Sequence, residues 1–181
     1  MLRGYQVKRT RIVEPLLPSY RKAFPELQEK SETPAAARPT SGYRFLEHMT
    51  DAEIEAFGNN LEEAFENAGR ALEDTMVDIA SIGSKVTDEI TVEGSDKEAL
   101  LYSWLEALIL KQDTDGMLYS KFSCSISRKD DGTYGLTATV RGERFDRAKH
   151  EQKTAIKAPT YYEMRVEETV GHASVRFVLD L

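Results

Sequence analysis

Residues 60–76 read NLEEAFENAGRALEDTM and residues 95–109 read SDKEALLYSWLEALI. In the first stretch Leu61, Ala64, Phe65, Ala68, Leu72 and Met76 recur at the three- and four-residue spacing of one helix face. Asn60 stands where a helix N-cap accepts a main-chain N–H, and Glu63 is placed to return a bond to the Asn60 backbone. In the second, Ser95 and Glu98 repeat that pattern ahead of Leu100, Leu101, Trp104, Leu105, Leu108 and Ile109. This apolar stripe is broad and calls for deep burial against a sheet. The run DTDG, closing on Gly116, ends the second helix.

The segments around the helices alternate at the period of a strand. YRFLEHM, residues 43–49, and DAEIEAFG, residues 51–58, precede the first helix, and Ile54 and Ala56 share a face. KVTDEITVEG, residues 85–94, separates the helices, with Val86, Ile90 and Val92 among polar neighbours. Beyond Gly116, Phe122, Cys124 and Ile126 alternate before Asp130, Asp131 and Gly132 turn the chain, and Leu136, Ala138 and Val140 alternate back, a hairpin signature. Residues 158–168 and 173–181 add two strands, the last with Val175, Phe177, Leu179 and Leu181 on one face. The order β-β-α-β-α, then strands only, predicts an α+β fold with two helices packed on one face of a mainly antiparallel sheet.

The chain has 181 residues, 40% hydrophobic and 30% charged, which suits one domain and a tail. Five of its six prolines lie within residues 1–41, which read as a disordered, Pro-rich, basic tail ahead of a domain over residues 42–181. The tail holds 8 Lys/Arg against 4 Asp/Glu, and the domain 16 against 27, so the folded part carries a net −11. Such a body repels phosphate backbones and suits a basic protein surface or a bound cation. No apolar run is long enough to span a membrane, and the first residues lack the pattern of a signal peptide. With Cys124 as the sole cysteine, disulfide frameworks and multi-cysteine zinc sites are excluded. A reducing, cytoplasmic setting is expected.

Few residues carry candidate chemistry. Cys124 shares the apolar face of its strand and reads as inert packing. His48, His150 and His172 lack the spacing of a helical metal site, and structural or surface roles outweigh ligation for each. Gly-rich phosphate loops and the GxSxG elbow are absent. Asp51, in HMTD between two strands, reads first as a turn residue and second as an oxygen ligand. Asp180 is penultimate, and alternation sets it on the face opposite Val175, Phe177 and Leu179. With the oxygens of Leu181 it would make a hard donor set suited to Ca2+ or Mg2+. Lys157, at a strand entrance before Pro159, reads as a surface lysine, with pairing to such carboxylates or a phosphate contact as the alternatives.

Three motifs in order resemble the archease family: HMTD followed by LEEAF on the first helix, KAPTYYEM from Lys157, and LDL at the chain end. The likeness runs over residues 43–181. It departs where HMTD replaces His-Thr-Ala-Asp and where Pro159 replaces a branched apolar residue. The resemblance implies a non-catalytic activator of an RtcB-type tRNA-splicing ligase, promoting its guanylylation, multiple turnover and broader NTP use. It further implies a divalent cation held by Asp51, Asp180 and the Leu181 main-chain oxygen, Ca2+ first and Mg2+ or Mn2+ next. His48 and Lys157 become candidate contacts to the ligase, and tRNA would be met only through it. Two rival readings stand beside this one: a chaperone-like module that keeps RNA-processing partners soluble, and a metal-dependent hydrolase for which no general base is visible.

Overall fold

The computed structural model describes residues 40–46 and 51–181. Among them the chain forms β1 (Gly42–Leu46), β2 (Ala52–Gly58), α1 (Leu61–Met76), a 3-10 turn (Ile79–Ser81), β3 (Val86–Gly94), α2 (Lys97–Asp115), β4 (Met117–Arg128), β5 (Tyr134–Arg144), β6 (Ala158–Thr169) and β7 (His172–Asp180). The α+β class and both helices follow the sequence expectation. Apart from Thr40 and Ser41, the tail expected over residues 1–41 lies outside the described residues. Ser41 already touches the folded part, its hydroxyl accepting a 2.9 Å hydrogen bond from the buried Asn67 of α1.

The expected single sheet is two sheets. One has the order β1-β2-β7-β6 and the other β3-β5-β4, with every neighbouring pair antiparallel. α1 packs on β2 and β7 of the first and on β4 of the second, and α2 packs on β3 of the second and β6 of the first. A helix covered by more than one sheet must be apolar around more of its girth. The α2 stripe of Leu100, Leu101, Trp104, Leu105, Leu108 and Ile109, all buried, meets that demand. Trp104 ties the helices together through an indole N–H bond of 3.0 Å to the Phe65 carbonyl. Gly69 admits β4 against α1, since a Cβ there would stand 2.9 Å from the Phe122 ring.

Both helix starts differ from expectation in one detail. Asn60 caps α1, accepting the Glu63 N–H at 2.8 Å, but the Glu63 carboxylate reaches back to the N–H of Asn59, not of Asn60. On α2 the cap is Asp96, which accepts the Ala99 N–H at 2.7 Å, so Ser95 stands one residue too early. Glu98 therefore reaches across to the Val166 N–H on β6, at 3.2 Å. A carboxylate that could have closed the helix start serves tertiary packing.

Two titratable groups, one wholly and one partly buried, have their pKa values raised by their surroundings. Glu73 of α1 is wholly buried, and neither carboxyl oxygen meets a hydrogen-bond partner of good geometry. Burial pushes its pKa well above the usual carboxylate range, and the nearby Tyr119 main chain offsets little of that. Cys124 has its thiol pushed up to about 12, by burial first and then by the Glu66 carboxylate, whose oxygen also accepts the Cys124 N–H at 3.0 Å.

A raised folded-state pKa stabilises the fold fully below the ordinary carboxylate value, and that stability is lost as pH rises towards the folded value. Wild-type stability should therefore fall above pH ~4.5 by about 1.4 kcal/mol per pH unit from this group while the folded carboxyl keeps its proton. Glu73→Gln should remove that slope and melt higher than wild type at pH 7, with the two converging near pH 4; parallel melting curves across that range would refute the assignment. Cys124 should react with iodoacetamide at pH 8 far more slowly than an exposed thiol, and rapidly once urea unfolds the chain.

Candidate functional site at the chain terminus

β7 is an inner strand of its sheet, flanked by β2 and β6, and both flanking strands begin where β7 ends. The β2–β7 ladder closes on Ala52 opposite Leu179. Continuing that register by one residue would set Asp51 across from Asp180. Facing positions of an antiparallel pair lie about 4.5–5.5 Å apart and project to the same side. On the other flank Ala158 faces Asp180, and the Lys157 N–H donates to the Asp180 carbonyl at 2.8 Å. Three strand ends thus converge, although Asp51 and Asp180 stand far apart in the sequence.

The Lys157 ammonium donates to the Leu181 carbonyl oxygen at 2.5 Å and lies 3.7 Å from the Asp180 carboxylate. Asp180 and Lys157 are at least half exposed, so these contacts orient groups in water more than they stabilise the fold. Leu181 packs partly against the core, as the alternation expected, while Asp180 turns away from it. The donors at this tip are all hard oxygens: two carboxylates and the chain end. That set fits a divalent cation such as Ca2+ or Mg2+ better than a thiophilic or imidazole-seeking metal. Among the described residues no three His, Cys, Asp or Glu side chains assemble as a metal group, so main-chain oxygen and water would have to complete the coordination. His48 lies outside the described residues.

Another charged cluster lies away from the tip. The buried Glu143 of β5 accepts the Gly83 N–H and pairs with Lys85 and Lys149. Lys149, then Lys85 and the Gly83 N–H hold its carboxyl far below the usual range, against the opposing effect of burial. His150, itself buried, accepts the Asp146 N–H on Nδ1 at 2.9 Å, which leaves the proton on Nε2, 3.3 Å from Glu143. All polar atoms of this cluster point at one another, and it pins two loops to the end of β5. His172 is exposed at the turn into β7. Sequence reasoning missed the Glu143 cluster, because its members come from two loops and one strand with no common spacing.

Comparison with known proteins bears on the family and the fold. Residues 43–181 match the model of the Archease protein family. The chain is 40% identical to the protein archease of Sulfurisphaera tokodaii over 139 residues, covering 77% of this chain and 98% of that one. It is 45% identical to the Pyrococcus furiosus archease over 125 residues, covering 69% of this chain and 87% of the relative. The solution structure of Methanobacterium thermoautotrophicum protein 1598 superposes with a TM-score of 0.69 at 34% identity, over 77% of this chain and 99% of that one. Family match, curated relatives and fold coincide over one stretch, the stretch that carries the carboxylate tip: the chain belongs to the archease family.

Proposed function

We propose that this protein is a non-catalytic activator of an RtcB-type RNA ligase in tRNA splicing, acting through a divalent cation held at its carboxylate tip. The observation that supports the reading is the β2–β7 ladder, which closes on Ala52 opposite Leu179, one residue short of Asp51 and Asp180, with Lys157 already turned onto the Leu181 oxygen. Asp51, Asp180 and the Leu181 main-chain oxygen would hold the ion, Ca2+ first among the candidates. When bound, it would supply positive charge to offset developing charge on nucleotide phosphates. The protein's own share is to present these oxygens on the rigid end of a sheet and to exclude soft metals by donor type. A body of net −11 also favours approach to a basic, RNA-handling enzyme over RNA itself. Promotion of ligase guanylylation, many turnovers and wider NTP use are the activities this arrangement would serve. No helix among the described residues is long and apolar enough to cross a membrane.

In a multiple-turnover ligation assay with the organism's own ligase, substoichiometric wild-type protein should raise the number of turnovers at least tenfold. Asp51→Ala and Asp180→Ala, checked for folding by thermal melts, should lose most of that stimulation. Full stimulation by both variants would sink the metal-tip reading, and suppression of ligase aggregation that ignores both substitutions would point to the chaperone-like alternative. Because the Lys157 ammonium occupies the Leu181 oxygen, Lys157→Met should bind Ca2+ several-fold more tightly than wild type in a calorimetric titration. A weaker affinity would instead make Lys157 part of the cation's support.

A further inference from the structure

β6 departs from its ladder just beyond the tip. Thr160 pairs with Val178 and Arg165 with Arg176, so the four residues Tyr161, Tyr162, Glu163 and Met164 stand against Phe177 alone. The excess chain loops outward and costs the fold in three ways. Ladder pairs are lost, Glu163 takes a φ of 56°, a left-handed conformation a residue with a Cβ rarely adopts, and the Thr160 hydroxyl is buried without a hydrogen-bond partner. Burial does not offset these costs, because the two largest side chains of the bulge face water: Tyr161 is 60% and Tyr162 63% exposed. Only Met164 turns back into the core. Strain retained while aromatic rings are displayed is the mark of a surface kept for recognition.

The display is ordered. Tyr161 stacks flat on Tyr102 of α2, with ring centroids 4.5 Å apart and planes 1° from parallel. Among the described residues no ring stacks on Tyr162, whose faces are open. The carboxylates of Asp96 and Glu106 lie near enough to act on the Tyr161 hydroxyl, after burial and Tyr102. The neighbouring cations are already matched: Arg165 pairs with Glu163 at 3.5 Å and Lys97 with Glu168 at 2.5 Å. Exposed tyrosine rings on a body of net −11 complement guanidinium groups, which stack on aromatic rings while pairing with carboxylates. The same charge opposes a nucleic-acid strand, whose bases could otherwise stack there. The bulge begins three residues beyond Ala158, the partner of Asp180, and so lies about 10 Å along the strand from the tip.

We infer that the Tyr161–Tyr162 bulge of β6 is a docking surface for an arginine-bearing segment of the protein that the carboxylate tip serves. The identity of that protein as the ligase rests on the function proposed above. Tyrosine–arginine contacts dominate many interfaces because a rigid ring orders at little entropic cost.

The test measures binding of the full chain to the organism's RtcB-type ligase by biolayer interferometry, at low and high NaCl, alongside binding to a single-stranded RNA oligonucleotide. The Tyr161→Ser, Tyr162→Ser double variant should bind the ligase at least tenfold more weakly, wild-type affinity should fall with salt, and Val170→Ser, at the far end of the β6–β7 hairpin, should bind as wild type. Should the double variant fail to fold, Tyr162→Ser alone leaves the Tyr102–Tyr161 stack intact and should still weaken binding severalfold. Wild-type affinity in a folded tyrosine variant would overturn the docking surface and leave the activator reading standing. Loss confined to RNA binding would assign the bulge to nucleic acid and overturn it as well. If the wild-type chain neither binds nor stimulates the ligase, the activator reading fails and takes this inference with it.

Discussion

The pairing of β7 between β2 and β6 is the constraint on which the rest of the structure depends. Ala173, Val175, Phe177, Val178 and Leu179 of this strand are all almost completely buried. Both of its flanks carry ladders, so it presents no free edge to solvent. Its partner β2 comes from the opposite end of the folded part, and such a contact is reached only after a long loop closes. Until β7 docks, α1 lacks part of the surface that buries it, and β1–β2 and β6 remain separate pieces. Leu179 and Asp180 are therefore held in the middle of a sheet end.

The carboxylate tip proposed above depends on that placement. Two aspartates side by side repel each other, and the gain from holding them is not stability. What holds them is the backbone: ladder bonds on both sides of β7 position Asp180, and β2 carries Asp51 to its flank. Lys157, fixed by its own N–H on the Asp180 carbonyl, brings one positive charge to the cluster. Rigid strands supply geometry that loops could not, a condition that a metal-binding or docking site shares. The β6 bulge continues the theme along the same strand, giving up ladder pairs in exchange for a displayed pair of rings.

Charge inside the fold is handled in two opposite ways. Glu143 remains ionised because two lysines, a main-chain N–H and a neutral His150 surround it. Glu73 has no such company, and burial raises its pKa well above the usual carboxylate range. Both belong to the core's architecture, and neither opens onto the tip. A similar residue type thus reports little about function until its neighbours are known.

The elements themselves were legible in the sequence. Apolar spacing marked α1 and α2, Asp130–Gly132 marked the β4–β5 hairpin, and alternation placed Asp180 on the side opposite Leu179; each of these rests on contacts local in the chain. The archease motifs HMTD, KAPTYYEM and LDL were legible as a resemblance, and they pointed to Asp51, Lys157, Asp180 and Leu181. Strand partners were not legible, because alternation says which face a residue takes and nothing about which strand lies beside it. That is why the sequence points to one sheet where two are found, and why the bulge at Tyr161–Met164 leaves no trace in its pattern. By itself the sequence determined the helices, the strand faces and the acidic charge of the body. Only the tertiary structure decided that β2 and β6 flank the end of β7 and that Lys157 reaches Asp180 and Leu181, because those pairings are made by hydrogen-bonded registers between segments far apart in the chain.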